Sequence, residues 1–390
     1  MKILVILPRF PFPLEKGDKL RAYHQIKYLS QRHEIYLFAL SHIHVSDEAI
    51  AEMQQYCKSV RIAHLSPVGG AMRVMRNFCG TRSLQMGYWD SASARSQLRR
   101  YADEVQPDVV YAQMVRTMKY AAALPYRKVL DFQDALSMNT ERRMTGRHGL
   151  RYFVLHYEFK MLRSAEYSAC NIFDAMTIIS ETDRDAIPQH YSTRIDVVRN
   201  GVDFDYFRPM PQEQHYDLVF CGNMSYAPNI NAARYLVEEI MPLVWQRYPE
   251  ANVLLAGADP KPAVRALASS RVAVSGRLPD IRSAYADARI FVAPMRIGSG
   301  LQNKLLEAMA MQLPCVTTSL ANAALGATDG EHLLVGDNAE AIANHIIQLL
   351  GDDALRSRIA ESGRQYVQEH YSWPAAIEPL EKIFNELVSK

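Results

Sequence analysis

The sequence predicts an α/β protein made of two parallel-sheet domains, with a cleft between the carboxyl ends of their sheets. Short β-branched runs alternate with amphipathic helical stretches through both halves of the 390 residues, as strand–helix–strand units require. A polar, proline-bearing segment, Phe207-Arg208-Pro209-Met210-Pro211-Gln212-Glu213-Gln214, separates two such series and reads as a linker. The length suits two or three domains of ordinary size. The boundary is placed near residue 210, giving domains 1–210 and 211–373. Carboxyl ends of parallel strands are a usual place for a ligand.

In the first series the expected strands are Ile3–Leu7, Ile35–Leu40, Val60–His64, Val109–Tyr111, Val129–Phe132, Ala175–Ile179 and Ile195–Val198. Asp18 reads as a helix N-cap, with Leu20, Tyr23, His24, Lys27 and Tyr28 following at helical spacing. The second series is Leu218–Cys221, Val253–Ala256, Val272–Val274, Ile290–Ala293, Cys315–Thr317 and Leu333–Val335.

Hydrophobic residues make up 48% of the chain, enough to bury two cores rather than leave it disordered. No apolar run approaches the roughly 20 residues of a membrane span. The N-terminal Ile3–Leu7 run is too short for a signal peptide and reads as a buried strand. Five cysteines without paired spacing fit a reduced, cytoplasmic protein. The net charge of +2 hides an asymmetry: residues 1–205 carry 28 basic against 22 acidic side chains, leaving 16 against 20 for the rest. Arginines cluster at Arg73, Arg76, Arg82, Arg99, Arg100, Arg142, Arg143, Arg147 and Arg151, with Phe78, Tyr88, Trp89, Tyr152, Phe153, Tyr157 and Phe159 interleaved. Such a face suits an anionic partner such as the inner face of the cytoplasmic membrane or a lipid phosphate, and equally a solvated helix face. No nucleic-acid partner is expected.

The segment APMRIGSGLQNKLLEAMAMQLPCV, Ala293–Val316, carries the most chemistry. A strand runs into a loop bearing Gly298 and Gly300, then into a helix starting near Asn303. Glycines let a backbone approach a ligand, and the free N–H groups of a first helical turn attract anions. Lys304 and Arg296 add charge for a diphosphate. Glu307, a turn deeper, suits ribose hydroxyls. The plain alternative is an ordinary loop-to-helix connection with Lys304 and Glu307 as a surface ion pair. The GxGxxG fingerprint is incomplete, because Asn303 stands at its third glycine.

This segment resembles the donor-binding motif of the large retaining glycosyltransferase family with the GT-B fold, family 4 in the usual classification. Ile179-Ser180-Glu181, Asn200-Gly201-Val202-Asp203 with Phe207 and Pro209, and Gly222-Asn223-Met224-Ser225-Tyr226-Ala227-Pro228-Asn229 resemble three further motifs of that family, in the same order. More narrowly, the chain resembles sugar transferases of exopolysaccharide and PEP-CTERM systems. The resemblance implies two Rossmann-like domains, a C-terminal helix (374–390) returning to the first, a nucleoside diphosphate sugar as donor, retention, and a glycan or lipid-linked acceptor. It implies no cofactor, and no metal ligand set is spaced in the sequence. Asp203-x-Asp205 sits inside the family's turn and is read as structural.

Ser299 stands where the family commonly has a first Glu, so sugar contacts fall to the Gly298–Gly300 backbone and the Ser299 hydroxyl. Gly222 and Asn223 are the donor-site candidates after the first strand of the second domain, with Arg277 a further cation. In the first domain Pro11-Phe12-Pro13-Leu14-Glu15-Lys16-Gly17-Asp18 resembles the family's glycine loop. This implies Gly17 near donor phosphate and Asp18 toward the acceptor, with Arg21 one turn into the helix for an anionic acceptor. The plain alternative is a simple βα loop. Asp131 or Asp134, where relatives carry a His, becomes the acceptor contact or base, or else a helix cap. A nucleotide-sugar 2-epimerase of the same fold and a non-catalytic nucleotide-sugar binder are the alternative functions.

Overall fold

The computed structural model describes residues 1–14, 17–77, 83–144, 148–187, 195–297 and 301–389. The chain divides into two compact units, Met1–Asn200 with Ala376–Lys390, and Gly201–Ala375. The division precedes the proline-bearing segment expected as the linker. Val202 belongs to the second unit because its N–H donates to the Tyr371 carbonyl at 2.7 Å and it bridges Ser372. Gly201 packs so closely on Trp373 that a Cβ there would overlap its backbone.

The first unit holds a seven-stranded sheet ordered β3-β2-β1-β4-β5-β6-β7. Its strands are β1 (Lys2–Leu7), β2 (Glu34–Ser41), β3 (Ser59–His64), β4 (Val109–Gln113), β5 (Arg127–Asp131), β6 (Ala175–Ile178) and β7 (Ile195–Val197), and each pairing is parallel. Ile3–Leu7 is a continuous buried run because helices cover both faces of such a sheet. The chain winds outward from β1 to β3, then returns to place β4 on the other side of β1, so strand order reverses between β1 and β4. Five helices of this unit matter below: α1 (Gly17–Leu29), α2 (Pro67–Asn77), α3 (Leu84–Trp89), α4 (Leu136–Met144) and α5 (Leu150–Ala169). α3 begins where the Ser83 hydroxyl accepts from Met86 N–H, the expected chemistry of an N-cap.

The second unit holds a six-stranded parallel sheet ordered β10-β9-β8-β11-β12-β13, which reverses between β8 and β11. The strands are β8 (Tyr216–Cys221), β9 (Val253–Ala256), β10 (Val272–Gly276), β11 (Ala288–Ala293), β12 (Cys315–Thr317) and β13 (Leu334–Val335). Helices α6 (Ala227–Tyr235) and α7 (Asn303–Ala310) follow the two central strands. Leu305, Leu306, Ala308, Met309 and Ala310 give α7 its buried face. The C-terminal helix α8 (Trp373–Val388) carries residues 376–390 into the first unit. There Phe384 meets the Tyr111 ring at 5.4 Å, and Glu381 accepts from Arg32 and pairs with His33.

Candidate functional site

Ligands of open α/β sheets gather where strand order reverses, outside the carboxyl ends of the strands. In the second unit that place is flanked by the β8–α6 turn and the β11–α7 connection. Lys304, in the first turn of α7, donates to Asn229 Oδ1 at 2.7 Å and Gln302 Oε1 at 3.4 Å, with its ammonium 5.4 Å from the Phe220 ring centre. Asn229 is itself oriented by donating through Nδ2 to the Asn223 carbonyl at 2.9 Å. Burial pushes the Lys304 ammonium down to about 8, with Glu307 opposing the shift. Glu307 forms no ion pair with Lys304 among the described residues. Instead, its Oε2 accepts from Tyr285 O–H at 2.7 Å. Burial pushes the Glu307 carboxyl up to about 7, against the pull of Tyr285 and Lys304. The site therefore holds a cation and a carboxyl whose charges both respond near neutrality.

Other expected donor residues are placed differently. Arg296 stacks 3.9 Å from the Tyr235 ring centre at the end of α6 and pairs with Glu239, one turn further on, at 3.1 Å. To meet a phosphate it would have to leave that carboxylate. Gly222 is required by packing: a Cβ would press on the Asn229 amide, while Gly257, at φ +140°, closes on the Gly222 carbonyl. Asn223 uses its side-chain oxygen to accept from Ser225 N–H (2.8 Å) and O–H (2.7 Å), forming a turn rather than reaching outward. Arg277 is exposed just after β10. Gly298, Ser299 and Gly300 lie outside the described residues, as do Phe78, Arg82 and Arg147. Asp203 Oδ1 accepts from Asp205 N–H and Tyr206 N–H, the turn-forming role expected of it.

In the first unit the candidates sort into a buried pair and a carboxyl beside it. Arg21, expected to meet an acceptor, is buried; it donates through Nε to Asp131 Oδ2 at 2.7 Å and through Nη1 to Asn200 Oδ1 at 2.9 Å. Asp131, expected as a contact or base, is equally buried and also accepts from Tyr111 O–H (2.8 Å) and Gln133 N–H (3.1 Å). The pair satisfies itself, so neither group is available to a substrate. Asp134 is half-buried, and burial, with Asp183 second, pushes its carboxyl up to about 6. Asp18 falls inside the first turn of α1 rather than capping it, and Arg9 takes its carboxylate at 2.6 Å. Gly17 opens α1, and among the described residues no atom lies within 4 Å of where a Cβ would stand.

Asn229 and Tyr285 went unassigned in the sequence. Asn229 ends the Gly222–Asn229 motif and could have been singled out by that position; Tyr285, in Ser283-Ala284-Tyr285-Ala286, carries no local signal.

Two Rossmann-like units with fully parallel sheets are the architecture of GT-B glycosyltransferase structures. Family models place the chain among these transferases: Glycosyltransferase Family 4 matches residues 20–206, and Glycosyl transferases group 1 matches residues 215–352. The chain is a glycosyltransferase of this group 1, family 4 type. It is 22% identical over 396 residues to an uncharacterised 44.6 kDa protein in the cps region of Klebsiella pneumoniae, covering 95% of this chain and 96% of that one. A shorter match, 30% over 110 residues, is to the capsular polysaccharide biosynthesis glycosyltransferase CapM of Staphylococcus aureus, covering 28% of this chain and 29% of that one. Among solved structures, Anabaena Alr3699/HepE in complex with UDP and glucose superposes with a TM-score of 0.68 at 15% identity, covering 98% and 99% of the two chains.

Proposed function

We propose that the protein transfers a sugar from a nucleoside diphosphate sugar to a hydroxyl of a glycan or lipid-linked acceptor, with retention and without a metal, in polysaccharide assembly. The observation that carries this reading is the Lys304–Asn229 and Glu307–Tyr285 constellation at the β8/β11 reversal. As the bond from the sugar's anomeric carbon to the diphosphate breaks, negative charge grows on the leaving oxygen. Lys304 and the amides opening α7 stabilise that charge without rearranging. Glu307, held by Tyr285, accepts from ribose hydroxyls. The acceptor oxygen bonds the anomeric carbon on the face the diphosphate leaves, and its proton passes to the departing diphosphate. Asp134 orients the acceptor hydroxyl, and Arg277 adds long-range attraction for the donor.

The relative from a cps region and the capsular transferase favour a polysaccharide acceptor. The basic first half favours peripheral association with an anionic membrane, on the cytoplasmic side where nucleotide sugars are made. The test is a screen of nucleoside diphosphate sugars by thermal shift, then product mass spectrometry with polyprenyl-diphosphate-linked glycans. Conversion of the donor sugar without acceptor would establish an epimerase instead. Donor binding without turnover on any acceptor would leave a binding protein.

A further inference from the structure

Between Glu52 and Asp90 the chain has no acidic residue, while Lys58, Arg61, Arg73, Arg76 and Arg82 fall in that interval. α2 lies within it. Its Val68, Met72 and Met75 recur at the i, i+4, i+7 spacing of one helix face, and they are 69%, 59% and 74% exposed. α5 begins the same way, with Leu150 78% and Phe153 67% exposed. Large apolar side chains so exposed, on two helices, exceed the scattered single residues of an ordinary surface.

The two helices are tied to one support. Arg73 of α2 donates to the Tyr88 carbonyl of α3 at 2.9 Å. Glu158 of α5 accepts from Ser83 O–H, Leu84 N–H and Gln85 N–H at the start of α3. α2 and α5 therefore both anchor on α3. Beside Leu150 the end of α4 and the start of α5 form an open groove of about 500 Å³, lined by Arg143, Arg151, Leu150, Val154 and Leu155. Two guanidinium groups and three aliphatic side chains lining one groove match a phosphate attached to hydrocarbon. Of the acids on α4 and α5, Glu141 is exposed, Glu158 is occupied by α3, and Glu166 accepts from Ser137; none lines the groove.

We propose that the outer faces of α2 and the first turns of α5, with the Arg143–Arg151 groove, dock on an anionic lipid bilayer. α2 lies flat with Val68, Met72 and Met75 among the acyl chains, Leu150 and Phe153 enter beside it, and the groove holds a lipid phosphate. Among the described residues no helix is long and apolar enough to cross a membrane, so the contact is with one leaflet. The proposal rests on the peripheral association proposed above and locates it.

The test is cosedimentation of the full chain with vesicles of phosphatidylcholine alone, or mixed with phosphatidylglycerol. The expected result is binding to the mixed vesicles, weakened by salt. Arg143→Ala and Arg151→Ala should each lower partitioning about fivefold, the loss of one basic residue's attraction. Met72→Glu with Phe153→Glu should abolish it. Thermal melting and nucleotide binding at Lys304 check that the variants remain folded. Binding that survives all four substitutions would leave membrane association intact and overturn this location. Failure to bind any vesicle overturns both. If Met72→Glu instead converts a dimer to a monomer in sedimentation velocity, a second copy covers the face, and the proposal falls.

Discussion

Arg21 and Asp131, 110 residues apart, meet as a buried two-point ion pair, with Nε–Oδ2 at 2.7 Å and Nη2–Oδ1 at 3.3 Å. Tyr111, Gln133 and Asn200 complete its hydrogen bonds, and Tyr111 O–H also reaches Gln25 at 2.9 Å. The pair joins α1 to the end of β5, so it is an element of the first unit's structure rather than of its chemistry. Removing one partner leaves a charge buried and unpaired. Asp131→Ala should destabilise the protein by about 3–5 kcal/mol, read as a lowered denaturation midpoint. Replacing both, Arg21→Met with Asp131→Leu, should cost less than Asp131→Ala alone. A catalytic Asp131 would instead show lost turnover with unchanged stability.

Lys304→Ala should weaken nucleoside diphosphate binding by about 1–3 kcal/mol, the range for a charge-assisted hydrogen bond. Calorimetric titration checks this, and unchanged affinity would move the phosphate site elsewhere. Arg296→Ala should cost less than about 1 kcal/mol, because its exposed guanidinium already pairs with Glu239.

Glu307→Gln should reduce affinity for the nucleotide while leaving inorganic diphosphate binding almost unchanged. Tyr285→Phe should act in the same direction, since it frees the carboxylate that Tyr285 orients. Equal losses for both ligands would argue against ribose recognition.

Donor binding should be bell-shaped in pH. Glu307, raised to about 7, gains its charge as pH climbs through that value, so binding rises there. Lys304, lowered to about 8, loses its charge above that value, so binding falls. A bound diphosphate favours the charged ammonium and moves the upper limb higher. Lys304→Arg should remove the upper limb and keep the lower one, because guanidinium stays protonated throughout. Titration with an intact nucleoside diphosphate sugar reads both limbs.

Asp134→Asn should lower turnover about 100-fold, because its carboxylate orients the acceptor hydroxyl. Donor affinity should stay unchanged. In the parent enzyme, turnover should fall as pH drops through about 6, where Asp134 takes up a proton. A turnover profile flat across that range would remove Asp134 from the mechanism.

The strands were legible along the chain because each is a local apolar run. Ile3–Leu7, Leu218–Cys221 and Ile290–Ala293 bury whichever faces they present, so composition and turn signals suffice to find them. The strand ending at Ala293 and the helix opening at Asn303 were legible for the same reason, their apolar runs and the first-turn charge being neighbours in sequence. Which side chains serve a ligand and which serve the fold was decided by tertiary structure. Lys304 meets Asn229 across 75 residues, Glu307 meets Tyr285 across 22, and Arg21 meets Asp131 across 110. Sheet order closes the first and the last of these separations, by placing β8 beside β11 and by the succession β1-β4-β5, while Glu307 and Tyr285 meet from the helices that precede and follow β11. A charged residue's role depends on the partner that arrives and the water that leaves, and neither is written in its own neighbourhood of sequence.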